Sequence, residues 1–272
     1  VTNELGDLID IVCTINEANL TACFAHSFQS YPENGMKAIM PFIKEAAEEC
    51  GSTLENFGPF LFGHPFKIRD CMMESHVKSV PIIKSILNNN QPVGVTLSIM
   101  DYQAAEGGEK VRDQAYAESV DCCLDQVTND DFVGVQMYTR HTYGPDGIIK
   151  PKADDPNMLV MGYEYYPESL ENVVRYVSSK IKTPIMITEN GIGTDDDNQR
   201  IEYLTTALQG LQKCLDDGID VRGYFCWSLL DNFEWLFGYK PRFGLVEVNR
   251  ETLDRTAKES FKFFKDVIDQ SS

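Results

Sequence analysis

Five short apolar runs rich in β-branched residues punctuate the chain. Between them, apolar positions recur at helical spacing. Residues 8–14 (LIDIVCT), 93–99 (VGVTLSI), 132–138 (FVGVQMY), 184–188 (PIMIT) and 223–229 (GYFCWSL) read as buried strands. Helices are predicted over about 37–50, 68–87, 111–123, 168–181, 199–217 and 253–268. Pro81 is expected to kink or divide the second of these, whereas Pro167 opens the fourth, where proline is tolerated. Residues 143–157, rich in Gly, Pro and Asp, read as a loop. Asp195-Asp196-Asp197-Asn198 places acids at the positive end of the 199–217 helix. A calcium loop is the rival reading there, but the glycine and distal glutamate that such a loop needs are missing. Strands alternating with helices predict a parallel α/β protein. Runs without strict polar alternation fit strands covered on both faces. No repeat or boundary interrupts the pattern, so 1–272 is expected to be one domain.

Composition removes several classes of function. An apolar share of 43% supports a packed core. A formal charge of −18 repels phosphate backbones and anionic membranes, so neither nucleic acid nor membrane is an expected partner. No run is long and apolar enough to span a bilayer. The eight cysteines form no Cys-x-x-Cys pair and the four histidines show no zinc spacing, so no metal and no cofactor are expected. Unpaired thiols favour a reducing compartment, and a cytoplasmic location is the expectation.

Candidate chemistry sits where two of the strands end. Glu17 closes Thr14-Ile15-Asn16-Glu17, and Glu189 lies in Ile187-Thr188-Glu189-Asn190-Gly191. In a (β/α)8 barrel, functional groups gather at the C-terminal ends of strands. Two carboxyl groups held there suit a retaining sugar hydrolase, in which one protonates the leaving oxygen and the other attacks the anomeric carbon. Taken singly, Glu17 reads more readily as a helix-capping or salt-bridged carboxylate and Glu189 as a strand-end surface acid. A third block changes that balance: Trp227-Ser228-Leu229-Leu230-Asp231-Asn232-Phe233-Glu234-Trp235 holds both tryptophans of the chain.

Together these blocks resemble glycoside hydrolase family 1, the β-glucosidase family. The first resembles its Thr-x-Asn-Glu-Pro motif, with Ala18 in place of proline, and the second its Ile-Thr-Glu-Asn-Gly motif. Trp227–Trp235, with Gly238-Tyr239 and Arg242-Phe243-Gly244-Leu245, resembles its sugar-binding segment. The resemblance implies that Glu17 is the acid/base and Glu189 the nucleophile, about 5–5.5 Å apart. It implies sugar contacts from Asn16, Gln136, Tyr138, Trp227, Glu234 and Trp235, with Tyr138 also bonded to the nucleophile. Gln136 stands where the family usually has asparagine, and Tyr163 where tryptophan is common. The substrate implied is a neutral β-glycoside, because Glu234 would repel a 6-phosphosugar. The family carries three strands before its Asn-Glu motif, so the first strand here answers to the fourth. The fold expected is therefore an α/β, (β/α)8 TIM-barrel type, incomplete, with strands four to eight, in a chain that opens at Val1 as a C-terminal part of a longer protein. Five strands cannot close an eight-strand barrel, and open edges are a liability. The alternative function is a catalytically inactive fragment that binds sugar, or one that needs a second chain or segment to supply the missing strands.

Overall fold

A computed structural model describes residues 1–27, 33–58, 63–87, 90–152 and 155–271, with side chains described except at 27, 33–39, 236 and 271. These residues form two compact units, Val1–Gly134 with Thr142–Lys150, and Val135–His141 with Pro151–Ser272.

In the first unit the order is α1 (Thr2–Leu5), β1 (Val12–Cys13), α2 (Leu20–Ser27), α3 (Glu33–Glu49), α4 (Pro65–Ile86), β2 (Val93–Ser98), β3 (Asp101–Ala104), α5 (Glu109–Tyr116), α6 (Cys122–Leu124) and the start of β4 (Phe132–Met137). β5 (Arg140–Gly144) and β6 (Gly147–Ile148) form an antiparallel hairpin over the stretch expected to be a loop. β1 runs parallel to β2, with Val12 opposite Val93 and Cys13 opposite Gly94. Every residue of β2 is buried, as continuous apolar runs require of a strand covered on both faces. β2 and β4 approach so closely that a Cβ on Gly94 would stand 2.3 Å from the Phe132 carbonyl oxygen, which explains the glycine there.

Three expectations change in this unit. The first strand shrinks to Val12–Cys13, because Gly6–Leu8 turns as a 3-10 helix and leaves Leu8 82% exposed. α4 runs unbroken through Pro81. That proline is exposed and sits next to Ile82, which is 60% exposed, a position where loss of the N–H costs least. The helix expected over 111–123 is α5 and α6 joined by a π turn, Ala117–Asp121.

The second unit takes the rest of β4, then α7 (Ser169–Lys180), β7 (Ile185–Asn190), α8 (Asp197–Asp216), β8 (Val221–Cys226), β9 (Val246–Val248), β10 (Arg255–Ala257) and α9 (Glu259–Ser271). β7 lies between β4 and β8 and runs parallel to β8. α7 buries Leu170, Val173, Val174 and Val177, and α8 buries Tyr203, Leu204, Ala207 and Leu211. Each large apolar side chain so removed from water contributes roughly 1.5–3 kcal/mol before the entropy of ordering is counted. The acid run caps α8: the Asp196 side chain accepts from the Asn198 and Gln199 N–H groups. Asp197 accepts from the Ser260 N–H at 2.8 Å and hydroxyl at 2.7 Å, which ties the start of α8 to α9.

Candidate active site

Glu189 is the fifth residue of β7, and its two oxygens face β4. Gln136 Nε2 donates to Oε1 at 2.8 Å, and the Tyr138 hydroxyl donates to Oε2 at 2.5 Å. The alternation of β4 explains why these two act together: residues two apart share a face of the strand. Burial pushes the Glu189 carboxyl above its ordinary range, the Tyr138 hydrogen bond pulls it down, and the charge of Glu234 pushes it up again. The Tyr138 ring meets the edge of Phe243 at 6.0 Å and lies 6.5 Å from Tyr163.

Behind Glu189, Asn190 is fully buried and points to the opposite side of the strand. Its Nδ2 donates to the Met137 carbonyl at 2.8 Å and to the Tyr203 hydroxyl at 3.0 Å. Its Oδ1 accepts from the Tyr224 hydroxyl at 2.8 Å, and Tyr203 passes its own proton to the Tyr138 carbonyl at 3.1 Å. The Asn190 carbonyl accepts from the Trp227 N–H at 2.9 Å. Gly191 must be glycine, because a Cβ there would lie 1.9 Å from the Trp227 carbonyl oxygen.

Trp227 follows β8, and its indole N–H donates to Glu234 Oε1 at 3.2 Å. Burial pushes the Glu234 carboxyl up, against the pull of that bond. Trp235 is 83% exposed, so its indole face is open to solvent. Beyond β4, Arg140 grips Glu164 through Nε at 2.8 Å and Nη2 at 2.7 Å, and stacks 3.8 Å above the Tyr166 ring. Thr139 donates to the Glu164 carbonyl at 2.7 Å. A separate cleft in this unit, lined by Met158, Val160, Thr194, Lys240 and Arg242 among others, includes none of the expected site residues.

In the first unit, Glu17 follows β1 with φ 48°, a left-handed conformation that costs a non-glycine residue on the order of 1–3 kcal/mol. Its N–H donates to Thr96 Oγ1 at 2.9 Å, and that hydroxyl lies 3.0 Å from Asn16 Oδ1. Asn16 is thus anchored on β2 through its side-chain oxygen. Upstream, Thr14 Oγ1 lies 2.8 Å from His76 Nδ1, and His76 Nε2 lies 2.8 Å from Asp130 Oδ2. His76 is fully buried, so this chain anchors β1 to α4. Ala18, in the place of the motif proline, is also fully buried.

The sequence blocks thus assemble, within the second unit, into one group of Gln136, Tyr138, Glu189, Trp227 and Glu234. Asn190, Tyr203, Tyr224 and the Arg140–Glu164 pair were not anticipated. The spacing pattern along the chain carries no sign of them, because Asn190 meets its partners across 13 to 53 residues. Among the described residues no cluster of His, Cys, Asp and Glu is placed to hold a metal ion, and no helix is long and apolar enough to cross a membrane.

A strand-end carboxylate held by two donors, on strands alternating with helices, is an arrangement that a (β/α)8 fold produces at the C-terminal ends of its strands. A family model described as Glycosyl hydrolase family 1 matches residues 124–272. The chain belongs to that family. The crystal structure of β-glycosidase BGL167 superposes with a TM-score of 0.88 at 38% identity, covering 100% of this chain and 64% of that one. The apo structure of β-glucosidase 1317 gives 0.84 at 32% identity, covering 98% and 64%. The fold is thus of the (β/α)8 type expected, with five strands of its main sheet among the described residues. "Putative beta-glucosidase 15" of Oryza sativa subsp. japonica is 32% identical over 232 residues, 81% of this chain and 59% of its own length. The "Bifunctional beta-D-glucosidase/beta-D-fucosidase" of Bifidobacterium breve is 42% identical over 122 residues, 40% of this chain and 26% of its own length. The chain therefore spans only part of the length of the curated relatives it matches.

Proposed function

We propose that this chain carries the catalytic carboxylates of a retaining β-glycosidase acting on neutral β-linked sugars. The observation that supports this most directly is the Glu189 carboxylate gripped by Tyr138 and Gln136 at 2.5 and 2.8 Å. Two donors aim the oxygens and stabilise the ionised form that a nucleophile needs. Glu189 attacks the anomeric carbon while Glu17 gives its proton to the departing oxygen. A glycosyl ester forms on Glu189, and Glu17 then takes a proton from the water that breaks it. Glu234, oriented by the Trp227 indole, accepts hydrogen bonds from glycone hydroxyls and repels an anionic sugar. Asn16 and Trp235 complete the proposed sugar contacts, Asn16 through its amide nitrogen.

A 2-deoxy-2-fluoro β-glucoside with a good leaving group tests this reading. The fluorosugar mass should be found on the peptide containing Glu189, and Glu189→Gln should abolish both labelling and hydrolysis of an aryl β-glucoside. Hydrolysis that survives Glu189→Gln, or a label on another residue, would remove Glu189 from the role.

A second reading, a sugar-binding but inactive chain that gains activity only with a further segment paired to its sheet edges, is supported by those edges. β1 and β8 are the outermost strands of their sheet, and Phe225 on β8 is 53% exposed. It predicts little turnover by the purified chain and recovery when a segment carrying three further βα units is added.

A further inference from the structure

The side chain of Asn190 faces away from the proposed substrate, yet every hydrogen-bonding group it owns is used. The arrangement has only one consistent proton order. The Met137 carbonyl can only accept, so Nδ2 must face it, which places Oδ1 toward Tyr224. The second Nδ2 proton goes to the Tyr203 oxygen, and the Tyr203 proton is then free for the Tyr138 carbonyl. Four protons meet four acceptors. The two carbonyls so held belong to Met137 and Tyr138, the residues just after the donor Gln136 and within the donor Tyr138. Asn190 itself is bonded in sequence to Glu189. The network therefore clamps the end of β4 to the end of β7 on the side opposite the Glu189 carboxylate.

We infer that Asn190, Tyr203 and Tyr224 are positioning residues that fix the spacing between Glu189 and its two donors, Gln136 and Tyr138. The backbone separation between the strand ends sets how far the Tyr138 hydroxyl stands from Oε2. At 2.5 Å that bond has no slack, so a few tenths of an ångström at the Tyr138 carbonyl weaken it. The amide is a better clamp than an apolar pair, because an unpaired buried donor or acceptor is costly and the network holds one geometry. The consequence for catalysis rests on the reading of Glu189 as nucleophile; the clamp itself does not.

The test is the titration midpoint of the Glu189 carboxyl in the full chain, read by carbon-13 NMR with carboxyl-labelled glutamate and assigned through Glu189→Gln. The other groups acting on that carboxyl are Tyr138 and Glu234. Tyr138→Phe removes the bond outright and should raise the midpoint by about one pH unit. Tyr203→Phe keeps the ring but releases the Tyr138 carbonyl, and should raise it by about half as much. Asn190→Ala should match or exceed Tyr203→Phe, and Tyr224→Phe, which leaves the Tyr203–Tyr138 link in place, should move it least. Val173→Ala, a core change on α7, should lower the melting temperature and leave the midpoint alone. If Asn190→Ala does not fold, the two tyrosine variants carry the test. Tyr203→Phe with a lowered melting temperature and a wild-type midpoint would overturn the clamp, as would an unmoved midpoint in Tyr138→Phe. Shifted midpoints in a protein that hydrolyses no aryl β-glucoside, either alone or with a segment carrying three further βα units added, would keep the clamp and sink the enzyme reading.

Discussion

Glu189→Gln is expected to make the folded protein more stable at neutral pH. The wild-type carboxyl is raised by burial first and by Glu234 second, and only partly lowered by Tyr138. A carboxyl raised on folding binds more protons in the native than in the unfolded state between the two pKa values. Stability is therefore highest below the unfolded value, near pH 4.3, and falls as pH rises through the folded value. This is the reverse of a salt-bridged acid. Each unit of elevation removes about 1.4 kcal/mol at neutral pH. Glutamine has the same shape and no charge. With its carbonyl toward the Gln136 Nε2 group it keeps that bond, and its amide then faces the Tyr138 oxygen, which can accept. The neutral bonds are weaker than those to a carboxylate, by about 1 kcal/mol each. That loss is already included in the direction of the wild-type shift, where burial outweighs the donors. A net gain of about 1 kcal/mol is expected from urea unfolding at neutral pH, shrinking toward zero as the pH is lowered past about 4, where both side chains are neutral. A glutamine variant that is no more stable at neutral pH, or a difference that grows in acid, would mean that the donors outweigh burial, and the electrostatic account of Glu189 would be wrong.

Three further outcomes follow from packing and pairing. Gly191→Ala places a methyl 1.9 Å from the Trp227 carbonyl oxygen, so backbone must move; urea unfolding should show a loss of about 3 kcal/mol or more. Leu97→Ala, in the fully buried β2, should cost about 2–5 kcal/mol by the same measurement. Arg140→Ala breaks a two-pronged pair with Glu164 and a stack on Tyr166, with the side chains only 27% and 23% exposed, and should cost about 1–3 kcal/mol. A double-mutant cycle with Glu164→Gln should recover most of that as coupling.

The strands that position the site were readable because they are buried on both faces. VGVTLSI, FVGVQMY and PIMIT contain hardly a polar residue until their C-terminal ends, and β2, β4 and β7 follow those runs to within one or two residues. The errors fall where that condition lapses. β1 is an edge strand, so its run could be apolar without being paired, and only Val12–Cys13 joins β2. The β5–β6 hairpin is built from Arg, His and Thr around Gly144-Pro145-Asp146-Gly147, a composition that reads as loop until the partner strand is seen. Pro81 does not break α4, because it lies at an exposed position of that helix, where a missing N–H costs least.

The site divides along the same line, between what a residue is and what stands beside it. Carboxylates at strand ends and the indole–carboxylate block are identities, and identities survive in sequence. The Tyr138 bond to Glu189 was legible through the family resemblance, whereas Gln136, expected as a sugar contact, also donates to that carboxylate, because residues two apart on a strand face one way. The Asn190 hub was not, because its partners come from three other elements and nothing local requires them to meet. Glu17 and Glu189 each carry a feature that packing alone would remove: a left-handed backbone at one and a carboxyl whose ionised form burial disfavours at the other. A chain selected only for stability would place glycine or asparagine at position 17 and a neutral amide at position 189. Local rules broken without structural benefit, at the two positions where chemistry was expected on independent grounds, are what a functional site produces. This argues for the same two carboxylates from energetics rather than from motif.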